Sequence, residues 1–281
     1  MKDLFDGNDY AEDPRLDFLN WSIWASGAFD YPADRLGLTW GFTAELNQPS
    51  WAVRAGYFLV GDQPNANTFD MSLFSRGGYV GELEMRFKPL RPARRAAAGQ
   101  LAHQHLLRLL QPGGGACRRQ PPASTPTTPS RRPARAAPST ASTSTSQQEL
   151  TDDIGLFGRF SWNDGRTEIS AFTDIDTSLS LGLSIKGTAW SRPDDRIGIA
   201  GALNQISGDH SGYLAAGGLG VLVGDGQLPS YAAENVVETY YAFQLAKGIV
   251  ATADYQFLGN PAYNAARGPV HVFSGRLSAR F

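Results

Sequence analysis

Glu82, Glu84 and Arg86 occupy alternate positions of one run, Glu45 and Arg54 sit in two neighbouring runs, and Arg159, Lys186, Asp254 and Arg276 repeat the spacing further on. In an extended chain alternate residues share a face, so such charges line one wall. Carboxylates only accept hydrogen bonds and guanidinium groups only donate them, so a wall of mixed sign suits a neutral, polyhydroxylated solute. A ring of one sign would select ions instead. Trp24, Phe58, Phe157 and Tyr240 interrupt these polar faces, and their rings could stack on the apolar C–H face of a sugar. A structural role competes with each reading: charges that pair to hold a shape, and rings that fill space beneath loops.

Bond chemistry finds little support. A hydrolytic site needs a nucleophile, a base and an orienting partner. His210 and His271 fall in no such motif, and His271 sits at a strand end on the apolar register. The single cysteine, Cys117, excludes an internal disulfide, and the histidines are too scattered for a metal site. No catalytic residue, metal or cofactor is expected. A net charge of −2 gives no reason to expect a nucleic-acid partner. No uninterrupted apolar run is long enough for a membrane helix, while a mean hydropathy of −0.28 is what alternating strands average to.

The elements that must position the charged wall are strands. Residues 36–47 alternate Leu36, Leu38, Trp40, Phe42, Ala44 and Leu46 against Gly37, Thr39, Gly41, Thr43, Glu45 and Asn47. The last twelve residues put Phe273, Gly275, Leu277, Ala279 and Phe281 on one face, with Ser274, Arg276, Ser278 and Arg280 on the other. Similar runs read at 19–29, 51–59, 79–87, 154–163, 167–173, 179–189, 197–206, 236–246 and 249–258, making about eleven candidate strands. Each has roughly the ten residues with which a tilted strand crosses a bilayer. Asn163-Asp164-Gly165 reads as a hairpin turn, and the glycine-rich 213–226 stretch as a loop folded over or into a barrel. Trp21, Phe29, Trp51, Trp162 and Phe281 crowd strand ends as an interface girdle would, and short turns alternate with long loops. The expected fold is an all-β, antiparallel transmembrane barrel. A soluble β-sandwich binding protein, whose outer face is also wet, is the alternative that alternation alone leaves open.

Three regions follow: barrel strands in 1–90, an interruption at 91–146, and barrel strands again in 147–281. Across 91–146 alternation stops and Pro, Ala, Ser, Thr and Arg dominate. A structureless insert of this length is unusual inside a compact fold. A disordered basic linker is one reading; translation in a shifted frame is the sharper one. Back-translating parts of the segment with GC-rich codons and moving the frame permits aromatic, strand-like stretches, and three single-base events of one sign would restore the frame before Thr151. Cys117, His103 and His105 then carry no functional meaning. The opening Met1-Lys2-Asp3-Leu4-Phe5-Asp6 has no apolar signal core, so the coding frame is expected to begin further upstream.

Several motifs together carry a resemblance. They include Gly7-Asn8-Asp9-Tyr10-Ala11-Glu12-Asp13-Pro14-Arg15, Phe29-Asp30-Tyr31-Pro32-Ala33-Asp34, Arg76-Gly77-Gly78-Tyr79-Val80-Gly81-Glu82, Ser161-Trp162-Asn163-Asp164-Gly165 and Tyr255-Gln256-Phe257-Leu258-Gly259-Asn260-Pro261. The chain resembles the carbohydrate-selective porin family (OprB type) over most of its length. That resemblance implies a sixteen-stranded outer-membrane barrel passing mono- or oligosaccharides by diffusion, with outer-membrane lipid around it and a homotrimer as an open possibility. The chain departs from the family in lacking early strands and in its scrambled stretch. A non-functional translated fragment of such a porin is therefore a second expectation: an open sheet would leave unpaired edges in lipid.

Overall fold

In the computed structural model, residues 2–62, 66–74, 77–87, 102–111, 139–167, 169, 171–172, 174–220 and 228–280 are described, with backbone only for 102–111 and 139. Phe281, Lys88, Cys117 and the rest of the 91–138 stretch lie outside them or carry no described side chain.

One antiparallel sheet of eleven strands runs in sequence order, each strand paired only with its neighbours in the chain. The strands are β1 (Gly41–Asn47), β2 (Trp51–Phe58), β3 (Gly78–Phe87), β4 (Ala102–Gln111), β5 (Ser139–Thr151), β6 (Ile154–Asn163), β7 (Thr177–Gly187), β8 (Arg192–Gln205), β9 (Glu234–Ala246), β10 (Ile249–Gly259) and β11 (Val270–Ala279). β1 and β11 form the two edges and do not pair with each other, so the barrel is not closed. Connections alternate in length. Those at 48–50, 152–153, 188–191 and 247–248 are tight, while 59–77, 164–176, 206–233 and 260–269 are longer and all lie at the opposite end. A helix, α2 (Gly208–Ala215), capped by Ser207, occupies part of the 206–233 connection and buries His210 and Leu214.

Alternation is visible in burial. On β3, Gly78, Val80, Glu82 and Glu84 are buried, whereas Leu83, Met85 and Phe87 are exposed. Leu156, Phe160, Trp162, Leu179, Leu181, Ile199, Leu203 and Val237 continue that exposed apolar surface around the sheet. Polar residues are thus covered and apolar ones face out, the inverse of a soluble sandwich and the pattern of a lipid-facing barrel.

The inner face is covered by the chain's own N-terminal segment, whose residues from Asp6 to Ala28 bond to side chains of the strands. Residues 19–29, expected as a strand, instead wind irregularly around a single helical turn, α1 (Trp21–Trp24), capped by Asn20. Phe29 is buried in a core, so it is no part of an aromatic girdle; Trp21 packs on Phe172 at 5.4 Å between ring centroids. The 36–47 pattern becomes strand only at Gly41; Leu36 and Gly37 lie in a turn, where Gly37 takes a φ of 76° and its N–H donates to the Asp34 carbonyl at 3.0 Å.

Two further expectations are corrected. The described residues of 167–173 form no strand, and Asn163–Gly165 opens the 164–176 loop and not a two-residue hairpin. Gly165 does take the left-handed φ of 62° that a turn there requires, its N–H donating to Asn163 Oδ1. In compensation, β4 arises within 91–146 and β5 starts there and continues to Thr151. β5 begins at Ser139 and pairs with β6 through Ser144 opposite Phe160 and Ser142 opposite Trp162. Its threonines are β-branched and suit a strand, but its outward row of Ser142, Ser144, Ser146 and Gln148 is polar where β6 offers Trp162, Phe160 and Leu156.

Candidate functional site: the inner face of the sheet

Register brings three of the expected wall residues into one row. Glu45 is the cross-strand partner of Arg54, and Arg54 of Glu82. The Arg54 guanidinium bonds Glu45 through Nε at 3.0 Å, Glu82 through Nη1 at 2.5 Å and Glu84 through Nη2 at 2.8 Å. Arg86 Nε completes the ladder on Glu84, while its Nη1 reaches Asn47 Oδ1 at 2.8 Å and the Gln48 carbonyl at 2.9 Å. The five charges therefore act as one network, with Arg54 at its centre. Geometry of this kind, several charge-assisted bonds on one fork, holds shape far better than isolated surface pairs.

Arg159 and Arg276 are used differently. Arg159 is buried and donates to the Ile23 carbonyl at 2.9 Å, with Asp6 Oδ1 at 3.4 Å from its Nε. Arg276 Nη2 donates to the Asp17 carbonyl at 2.9 Å and its Nη1 to that of Pro14. Both hold the N-terminal segment to the wall. Glu238 does the same from β9, accepting from the N–H groups of Leu19 and Asn20 at 2.5 and 2.9 Å. From β5, Thr143 meets Ser26 Oγ at 2.6 Å and Gln147 exchanges two hydrogen bonds with Asp9 at 2.6 and 2.7 Å. Ser161 accepts from the N–H of Ala28 at 2.8 Å. Lys186 donates to the Asp152 carbonyl at the tight-turn end, and Asp254 is buried.

Apolar contacts finish the seat. Phe58 packs edge-on against Phe5 at 5.9 Å, and Phe18 inserts between Phe157 at 5.5 Å and Tyr240 at 4.9 Å. Three of the four rings expected to stack on sugars thus have their faces against protein. Gly198 makes room for Tyr240: a Cβ there would lie 2.1 Å from the ring. Trp24 stands apart, half-buried beside a cavity of about 140 Å³. The signal for this arrangement was present in the sequence, since large rings on an otherwise polar face need an apolar partner.

Asp6 is the buried hub of the segment. It accepts from Thr145 Oγ1 at 2.5 Å, Tyr31 Oη at 2.7 Å and the Ser26 N–H at 3.1 Å. Burial alone would raise its carboxyl, but Lys2, Arg159 and those hydroxyls prevail and hold it far below the usual carboxylate range. Burial lowers the Lys2 ammonium despite Asp6 beside it, and raises the Asp17 carboxyl. At the long-loop end His210 Nδ1 lies 3.0 Å from Asp176 Oδ2, and Tyr263 Oη donates to the Asp174 carbonyl, tying three loops together. His271 faces outward, 2.9 Å from Tyr255 Oη. No group of three or more His, Cys, Asp or Glu suited to a metal occurs among the described residues.

Between segment and wall a cleft of about 240 Å³ remains, bordered by Lys2, Asp3, Glu12, Arg54, Glu84 and Gln147 among others. Acceptors and donors of both signs therefore meet in one wet space on the inner face.

Comparison with solved structures gives Pseudomonas putida OprB at high pH, with a TM-score of 0.60 and 17% identity over 86% of this chain and 57% of that one. The low-pH structure of the same protein gives 0.49 and 14% identity over 85% and 54%. Pseudomonas aeruginosa OccK11 (OpdR) gives 0.44 and 11% identity over 84% and 54%. The chain spans a little over half the length of these porins. No curated protein matches it. A sequence model of the carbohydrate-selective porin, OprB family, matches residues 2–281. With an outer-membrane barrel fold and a match over nearly its full length, the chain belongs to the carbohydrate-selective porin (OprB) family.

Proposed function

We propose that this chain forms part of an outer-membrane channel through which mono- or oligosaccharides diffuse passively, with no bond chemistry. The observation that carries this reading is the charged ladder of Glu45, Arg54, Glu82, Glu84 and Arg86, which reaches the 240 Å³ cleft through Arg54 and Glu84. A hydrated sugar crossing such a wall exchanges water for carboxylate acceptors and guanidinium donors at little net cost. The N-terminal segment acts as the constriction, since it occupies the inner face and leaves only narrow space beside it. Selectivity then follows pore width and lining groups. The outward apolar face is assigned to outer-membrane lipid. Refolded chain in liposomes tests this: swelling in glucose or maltose faster than in a larger dextran supports the channel, and no swelling in any sugar overturns it.

A second reading, a non-functional fragment carrying an out-of-frame segment at 91–146, is favoured by one specific observation. Ser142 and Ser144 stand outward beside β6, where the residues opposite them are the apolar Trp162 and Phe160. Hydroxyls in that row gain nothing from lipid. Resequencing the gene across this segment decides it. A repaired frame with apolar residues in the row supports the reading, and confirmation of the codons as translated removes it.

A further inference from the structure

At the long-loop end, the N-terminal segment and the 164–176 connection enclose the cavity of about 140 Å³. The rings of Trp24, Tyr31 and Phe172 border it; Phe172 stands edge-on to Tyr31 at 4.9 Å between centroids. Two charged groups share the lining, Asp34 and Lys2. Asp34 spends Oδ1 on the N–H groups of Leu36 and Leu38, both at 2.9 Å. Its Oδ2 accepts no hydrogen bond among the described residues. Lys2 Nζ donates to the Asp6 carbonyl at 2.6 Å and pairs with Asp6 Oδ2 at 3.7 Å, which leaves one further N–H.

We propose that this cavity is a mouth-side binding site for a single neutral pyranose ring. The inference rests on the channel reading and adds to it a defined place where the sugar pauses. An apolar wall of three rings matches the C–H face of a pyranose, and one acceptor plus one donor match its hydroxyl rim. An aliphatic ligand would strip water from Asp34 and Lys2 and return no hydrogen bonds. An anion would meet the Asp34 carboxylate. The volume equals that of about five water molecules, which suits one ring and not two. Lys2 also borders the 240 Å³ cleft, so the aromatic site and the charged ladder lie on either side of one side chain.

The test is equilibrium binding of D-glucose to the full chain folded in detergent micelles, followed by saturation-transfer NMR, with cyclohexanol as an apolar ring of similar size. Phe172→Ser removes one wall, and Ala171→Trp, on the same loop, fills the cavity without deleting a packed side chain. Saturable glucose binding is expected, weakened roughly three- to tenfold by Phe172→Ser and abolished by Ala171→Trp. Absence of saturable binding, equal affinity in all three proteins, or cyclohexanol binding as tightly as glucose would overturn the proposal. Liposome swelling separates the two readings. Swelling without saturable binding removes this site and leaves the channel, whereas binding that Ala171→Trp abolishes, without swelling, supports the site and removes the channel.

Discussion

Asp6 Oδ1 lies 3.4 Å from Arg159 Nε, although 153 positions separate them in the chain and neither side chain is more than 2% exposed. The pair joins the N-terminal segment to the sixth strand. Removing Arg159 leaves the buried carboxylate with Lys2, 3.7 Å away, as counterion, a loss of up to about 3–5 kcal/mol. Arg159→Met is therefore expected to lower stability in urea by that amount. The double variant with Asp6→Asn is expected to recover a large part of it, which a double-mutant cycle reads directly.

The same carboxylate sets an acid limit on docking. A carboxyl whose folded value lies below its unfolded one adds stability above the unfolded value, about 4, and loses it as pH falls through the folded value. Asp17, raised by burial, works in the opposite direction and gains as pH falls. The segment is expected to stay docked through the ordinary carboxylate range and to loosen only in stronger acid. Hydrogen exchange at the Ser26 N–H, which donates to Asp6 Oδ2, is the readout. Asp6→Asn should flatten its acid dependence.

Arg54 neutralises three carboxylates at once. Replacing it with Met leaves Glu45, Glu82 and Glu84 with less compensation beside the cleft. The expected result is a shift of reversal potential toward cation selectivity in a salt gradient, shrinking above about 1 M salt as screening sets in. An unchanged reversal potential would show that this ladder does not face the ion path.

Tyr240 fits its site because position 198 has no side chain. Gly198→Ala places a methyl where the ring now lies, and overpacking of this kind costs about 1–3 kcal/mol. Loss of the Phe18 contact should accompany it, visible as faster proteolysis after Arg15, whose neighbours in the segment are then less firmly held.

On the outer face, Ser144→Leu and Ser146→Leu should each raise thermal stability in lipid, by roughly 1 kcal/mol for the apolar area gained. Heat-dependent gel mobility after reconstitution measures it. A decrease would mean that this row packs against polar protein and not lipid.

Strands β2, β3 and β6 to β11 were legible because each alternates apolar and polar residues over a bilayer's width, and their edges moved by only a few residues. Residues 19–29 alternate as well, yet they fold into the lumen. Their apolar members, Ile23, Ala25 and Phe29, are satisfied by the rings and methyls of the inner face and not by lipid. Period alone cannot tell those two apolar environments apart. β5 was missed for the converse reason: Ser and Thr supply strand geometry and inward hydrogen bonds without an apolar row. Of the charged wall, the Arg54 ladder followed from spacing. The roles of Arg159 and Arg276 did not, because their partners, the Asp6 carboxylate and the carbonyls of Pro14, Asp17 and Ile23, belong to a segment far away in sequence.

Each strand touches only the strands before and after it in the chain. Such a sheet behaves like a row of hinged slats: an error in one hairpin shifts its own register and meets correct hydrogen-bonding edges on either side. A change within 91–146 would thereby be confined, leaving β6 to β11 with the pairings that their own residues dictate. A fold built on long-range crossovers would have no such firebreak. Sheets of this topology can therefore absorb change in one hairpin while the rest of the wall keeps its register.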